Sequence, residues 1–289
     1  MRYAYIATVT ALITLSIVNS VESAETGPVA KTGIRSMRLV CDRNSISPGE
    51  TFSVGLYIQH SPEYHTYWKA PGIVGLPTSI DWVLPPGFDA SDLEWPVPEL
   101  TKMAQYTAYG YERDVCLLTK ITVPQSIDSA NVTLKAKVAF MCCAKTCHPG
   151  WHDFQITLPV IRSAKPDIDE AWSEKFDKFR NDRPETAPDD WSMEAWETEK
   201  EIKLEIRSPH SKFAEDKDVY CYCEDNRIDS DKKQSFTWSG DGHCLTITLT
   251  KSGFGPENLK KFSGLLYHGK AWPDNSSQWV RISVPFSPT

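Results

Sequence analysis

The densest reactive chemistry in this sequence lies in one short stretch, where Cys142, Cys143 and Cys147 precede His148-Pro149-Gly150 at the end of a strand-like run. Two thiols four residues apart can form a disulfide if the backbone turns, because the bridge needs Cα atoms roughly 4.4–6.8 Å apart. Closing this small loop contributes about 2 kcal/mol, whereas a bridge from Cys41 to Cys116 would contribute roughly 4.5 kcal/mol. A weakly stabilising bridge can open without unfolding the protein, so the spacing favours Cys143 and Cys147 as a reversible redox pair.

Two other interpretations fit the same residues. The pair could be a purely structural disulfide in a non-catalytic interaction module. Alternatively, soft sulfur and imidazole ligands suit Cu(I) or Zn(II), and the candidates are Cys142, Cys143, Cys147, His148 and His152. Adjacent side chains of an extended strand point apart, so Cys142 and Cys143 can share one ion only if the strand ends there. We therefore predict no bound metal or other cofactor.

The N-terminus predicts export. Met1-Arg2 precedes an apolar run over residues 3–18, and small residues follow at Ser20, Ser23 and Ala24, which is the layout of a secretory signal peptide over residues 1–23. No later segment approaches the ~20 apolar residues that span a bilayer, so we expect a periplasmic or secreted protein that does not span the membrane after cleavage. All eight cysteines would then lie in an oxidising compartment.

Composition and missing motifs exclude several functions. The formal charge of −7 argues against nucleic acid as a partner. No serine lies in a Gly-x-Ser-x-Gly motif, which argues against a hydrolase of that type. The sequence also lacks a phosphate-binding glycine loop.

The elements around the cysteines predict an all-β protein. Val132, Leu134, Ala136 and Val138 alternate with polar residues, as one buried face of a strand requires. Short runs of this kind, separated by Pro and Gly, predict an immunoglobulin-like β-sandwich with strands at 36–41, 51–59, 78–84, 115–123, 132–139 and 154–160.

A change in composition divides the rest of the chain. Residues 165–196 predict a helical linker, in which Asp167 and Glu170 resemble a capping box. A second, smaller β domain follows over 197–289, with strands at 202–206, 218–223, 235–238, 244–250, 264–268 and 279–285. Cys221 and Cys223 lie on one face of their strand, from which one of them could bridge to Cys244, and we expect a structural role rather than a second redox site. The first domain is predicted to cover residues 24–164.

A series of motifs resembles a known family. It runs through His65-Thr66-Tyr67-Trp68, residues 71–78, Trp95-Pro96-Val97-Pro98 and Tyr109-Gly110-Tyr111, and it ends at Cys143 and Cys147. The series is similar to the N-terminal periplasmic domain of the thiol:disulfide interchange protein DsbD, and in particular to ScsB-type ectodomains. The chain stops where that family continues into transmembrane helices and a thioredoxin-like domain.

The resemblance implies an exported thiol-disulfide exchange protein. Such a protein-disulfide reductase-like module would relay electrons through Cys143 and Cys147 to or from periplasmic thiol-disulfide proteins, and it would need a separate donor, expected to be embedded in the membrane. The family also has a loop that shields the pair, which the resemblance places at Tyr109 and Gly110 with Tyr106 nearby.

Three further residues bear on the chemistry of the pair. Lys145 and His148 could lower the pKa of a neighbouring sulfur by supplying positive charge. Cys142 is a possible third thiol, and Cys147 is the predicted attacking residue. The connectivity of the other cysteines and the direction of electron flow stay open.

Overall fold

A computed structural model describes residues 24–162, 165–253 and 255–288, so the predicted signal peptide over residues 1–23 lies outside the described residues. The first part of the chain forms two antiparallel sheets that enclose one core. Its strands are β1 (Val29–Lys31), β2 (Ile34–Cys41), β3 (Thr51–His60), β4 (His65–Gly72), β5 (Ser79–Val83), β6 (Asp89–Ala90), β7 (Glu99–Met103), β8 (Tyr106–Tyr111), β9 (Val115–Thr122), β10 (Asn131–Cys143) and β11 (Cys147–Pro159).

These strands form the predicted immunoglobulin-like sandwich. One sheet has the order β1-β2-β3-β9-β6, and the other has the order β11-β10-β4-β8-β7, with β5 also pairing with β10. Leu39, Leu56 and Leu117 of the first sheet share a core with Leu134 and Ile156 of the second. The alternation that predicted β10 therefore marks its buried face.

A single helix among the described residues, α1 (Glu170–Asn181), covers the outer face of the first sheet. Trp172 and Phe176 are buried against Val40, Cys116 and Leu118. The predicted capping box is wrong. The N-cap is Asp169, whose carboxylate accepts a hydrogen bond from the backbone N–H of Trp172, whereas Asp167 bonds to the loop before β3.

The rest of the chain forms two four-stranded sheets around a separate core. Their strands are β12 (Glu185–Thr186), β13 (Ser192–Glu197), β14 (Glu201–Arg207), β15 (Val219–Cys223), β16 (Ser235–Trp238), β17 (Cys244–Thr250), β18 (Lys261–His268) and β19 (Trp279–Pro285). One sheet has the order β12-β19-β18-β15, and the other has the order β13-β14-β17-β16. We call this part the second sheet pair. β12 and all of β13 except Glu197 lie within the predicted linker, and the domain boundaries themselves stay a prediction.

The second sheet pair packs directly on the sandwich. Tyr222 has its ring centroid 4.9 Å from that of Tyr109 and 6.5 Å from that of Trp68. Ser230 accepts a hydrogen bond from the backbone N–H of Ile73 and donates one to the carbonyl of Thr107. Both contacts fall on or beside strands β4 and β8, which also carry the candidate site. Within the described residues, no helix is long and apolar enough to cross a membrane.

Candidate redox site

The β10–β11 hairpin brings two of the predicted cysteines together. Cys143 ends β10, Cys147 begins β11, and the two are direct partners in the ladder. A disulfide joins them, with their Cα atoms 4.2 Å apart. The loop of three residues between them is closed by a hydrogen bond from the N–H of Ala144 to the carbonyl of Thr146. The spacing of the two cysteines is thus the length of a short hairpin loop.

The pair lies on the face of the sheet that points away from the sandwich core. Successive residues of a strand face opposite sides, so Cys142 packs in the core while Cys143 joins a smaller cluster on the other face. The other members of that cluster are Tyr67, Val74, Met103, Ala108, Met141 and Cys147. An apolar cover thus surrounds the sulfur atoms.

The two sulfur-bearing residues differ in exposure. Cys143 is fully buried, whereas Cys147 is half-buried. The Tyr67 hydroxyl lies 3.8 Å from Sγ of Cys147, and burial raises the pKa of that hydroxyl to about 12. A partner molecule can therefore reach Cys147 more easily than Cys143.

A buried histidine faces the pair from the neighbouring strand. His65 on β4 is the direct ladder partner of Cys143, and its ring centroid is 4.9 Å from that of Tyr67. Burial and a repulsive charge on His60 lower the pKa of His65 to about 4. Neither ring nitrogen has a hydrogen-bond partner among the residues that the structure describes. At neutral pH this imidazole is therefore uncharged, with its lone pair unused.

The structure brings only part of the predicted cap to the pair. Gly110 is the ladder partner of Tyr67, whose side chain lies beside the pair. Tyr109 points to the opposite face of the sheet, where it packs against Tyr220 and Tyr222 of the second sheet pair. Tyr106 is exposed at the turn between β7 and β8.

The cover over the pair comes from two loops. In the turn between β7 and β8, the N–H of Ala104 donates to the carbonyl of Ala144, while Met103 packs on the pair. The segment 74–77 covers Tyr67 from the other side, where Tyr67 forms a bridge with Pro77.

Of the two basic residues predicted to modulate the pair, Lys145 lies in the loop and His148 lies on β11, with its ring centroid 6.1 Å from that of Tyr64. Lys145 is exposed, and His148 is half-buried with Nε2 3.1 Å from the Thr146 hydroxyl. Cys142 is fully buried, and burial raises the pKa of its thiol to about 12. Cys142 and His148 are ladder partners, so both lie on the face opposite the pair, although they are adjacent to it in sequence.

The remaining ligands of the alternative metal site are dispersed. The ring of His152 stacks edge-on against Phe154, with centroids 4.5 Å apart. Across the described part of the chain, no three His, Cys, Asp or Glu side chains are arranged to hold a metal ion.

The structure does not form the bridge to Cys244 that the sequence allowed. Cys221 and Cys223 do share one face of β15, and both are free thiols buried in the second core. Cys244 begins β17, which belongs to the opposite sheet. The thiol of Cys244 is free as well. Cys41 and Cys116 are also free, because they lie on opposite faces of the first sheet.

The contribution of β4 to the site was missed by the sequence analysis. His65 and Tyr67 belong to the motif series that carries the resemblance, but no site role was assigned to them. Their spacing of two residues would have placed both side chains on one face of a strand. β4 was not predicted as a strand because it is buried on both faces, so polar and apolar residues do not alternate along it.

Part of the chain matches a known protein family. Residues 40–159 match the family described as thiol:disulfide interchange protein DsbD, N-terminal. This DsbD-type segment contains the last two residues of β2, the sandwich strands from β3 to β11 and both cysteines of the pair.

The whole fold also has a solved counterpart. The N-terminal periplasmic domain of ScsB from Proteus mirabilis superposes with a TM-score of 0.62 at 18% identity, and the match covers 92% of this chain and 100% of that one. At this identity the likeness concerns the fold. Among curated proteins, none matches the chain significantly.

Proposed function

We propose that this chain is an exported, periplasmic thiol-disulfide exchange protein that relays electrons through Cys143 and Cys147. The observation that carries the proposal is a disulfide in a hairpin loop with one half-exposed and one buried cysteine. The DsbD-type match over the same residues supports it. The partners are periplasmic thiol-disulfide proteins, and a separate donor in the membrane supplies the electrons.

The exposure of the two cysteines supports an order of events. The Cys147 thiolate attacks a partner disulfide, one partner sulfur leaves, and a mixed disulfide forms. Cys143 then attacks Sγ of Cys147, which closes the intramolecular bond and releases the second partner sulfur. Two electrons pass from the pair to the partner, and the reverse sequence of steps reduces the pair again.

The reduction potential of the pair tests this function. Purified full-length protein is equilibrated in glutathione or dithiothreitol buffers, and alkylated cysteines are mapped by mass spectrometry. A reversible couple between about −180 and −270 mV, the span of exchange proteins, is expected. A pair that stays oxidised below about −300 mV is a structural bridge and contradicts the proposal.

Matched single variants test the order of attack. With glutathione disulfide as the partner, C143S should accumulate a mixed disulfide on Cys147, because the resolving thiol is missing. C147S leaves only the buried thiol and should react far more slowly. Equal trapping by the two variants contradicts Cys147 as the attacking residue.

A further inference from the structure

A fully buried histidine without hydrogen-bond partners needs an explanation. Most buried polar groups in proteins are hydrogen-bonded, since leaving one unsatisfied costs about 1–3 kcal/mol. His60 and His268 follow this rule, because each has both ring nitrogens within hydrogen-bond distance of a neighbour. His65 differs from both, since neither of its nitrogens has a partner in the described part of the chain.

The position of His65 links it to the redox pair. It stands directly opposite Cys143 across the β4–β10 ladder, so the two side chains lie on one face. Cβ atoms of such a pair are about 4.5–5.5 Å apart, which is within reach of an imidazole and a sulfur atom. The other ionisable groups that face this ring are Tyr67 on its own strand, Cys147 of the hairpin, and His60 at the end of β3.

Burial creates a problem that a base would solve. The neighbouring thiol of Cys142 has its pKa raised to about 12 by burial alone. Cys143 is also fully buried, and burial disfavours the charged thiolate that must attack Cys147. Tyr67 cannot take the proton, because burial keeps its hydroxyl protonated.

We propose that His65 is the proton acceptor that activates Cys143 in the second half of the exchange, an inference that rests on the proposed function above. The Cys143 proton moves to a ring nitrogen of His65, and the resulting thiolate attacks Sγ of Cys147. The Cys143–Cys147 bond forms as the bond from Cys147 to the partner breaks. The partner sulfur leaves with the electron pair, and the proton on His65 is released to solvent as that thiolate departs. The pKa of His65 is lowered while the ring faces the uncharged disulfide; a Cys143 thiolate beside the ring favours the imidazolium, and the two opposite charges avoid burying a single unpaired charge.

The test follows the resolution step in the full-length protein. Reduced wild type, H65F and H65Q react with glutathione disulfide, samples are quenched with acid, and the mixed disulfide is counted by mass spectrometry from pH 6 to pH 9. H268Q is the matched control, since it removes another buried histidine away from the pair. H65Q keeps a polar side chain but supplies no base, so it remains informative if H65F folds poorly.

The expected result is a mixed disulfide that persists in both His65 variants. Resolution should slow about 100-fold at pH 7, the usual size of a general-base contribution. Its rate should rise about tenfold per pH unit in the variants, whereas the wild type and H268Q should show a shallower profile.

Two outcomes overturn the inference, and they are distinguishable. If folded His65 variants resolve the mixed disulfide with the wild-type rate and pH profile, the role of His65 as proton acceptor is excluded. The proposed redox function is unaffected by that result. A wild-type pair that forms no mixed disulfide with glutathione excludes the proposed function, and the role of His65 falls with it.

Discussion

Gly75 controls the packing of the tyrosine that lies beside the redox pair. It has φ of +95°, a conformation that side-chain-bearing residues rarely adopt, and a Cβ added there would lie inside 3.0 Å of three ring carbons of Tyr67. Tyr67 is fully buried and cannot swing into solvent. The substitution G75A should therefore strain the segment 74–77 and displace the ring next to Cys147.

The size of the effect follows from these contacts. An unfavourable backbone conformation costs about 1–3 kcal/mol, and an overpacked core costs about 1–3 kcal/mol. The loss of glycine entropy in the unfolded chain offsets about 0.4–1 kcal/mol. A net destabilisation of about 3 kcal/mol should lower Tm by about 6–12 °C in a chain of this size.

The assay is thermal unfolding of the oxidised protein followed by circular dichroism. The matched control is G27A, because a Cβ at Gly27 meets nothing within 4 Å. A second measurement is the rate at which dithiothreitol reduces the pair, which should rise in G75A as the tyrosine moves away. If G75A melts together with G27A and is reduced at the wild-type rate, the tight contact between Gly75 and Tyr67 does not exist in solution.

Three further predictions concern the surroundings of the site. F176A should destabilise the protein by about 3–5 kcal/mol in urea unfolding, because Phe176 is fully buried where α1 covers the sheet. C142A should leave the potential of the redox pair unchanged in glutathione buffers, because the Cys142 sulfur points into the sandwich core beside Gly33. The pKa of His65 is lowered to about 4, so the folded protein releases its proton and stability should fall as pH drops from about 6.5 to about 4. H65F should flatten that fall in urea midpoints measured between pH 4 and pH 7, because it removes the titrating imidazole.

Local patterns predicted the outer parts of the two hairpin strands, at 132–139 and 154–160, but not the inner parts that reach Cys143 and Cys147. The alternating residues from Val132 to Val138 lie on β10, and the strand continues to Cys143. The two cysteines were predicted to close a small loop from their spacing alone, and the structure joins them. Spacing within one hairpin is a short-range constraint, so the sequence contains it directly.

Other features depend on pairings between distant segments. The face that Tyr109 occupies is set by the register of β8 against β4, which no local pattern contains. The absence of a bridge from Cys221 or Cys223 to Cys244 depends on which sheet each strand joins. β4 was missed as a strand because both of its faces are covered.

The second sheet pair packs against the face of β4 and β8 that is opposite the two cysteines. On β4, the Tyr67 side chain lies on the face of the cysteines and Trp68 lies on the opposite face. On β8, Ala108 lies on the face of the cysteines and Tyr109 lies on the opposite face. Trp68 and Tyr109 pack against Tyr222 of the second sheet pair. The position of the reactive face therefore depends on an aromatic contact with residues outside the DsbD-type segment. Without the second sheet pair these aromatic rings would be exposed to water, so we expect its removal to loosen the strands that hold His65 and Tyr67 beside the cysteines.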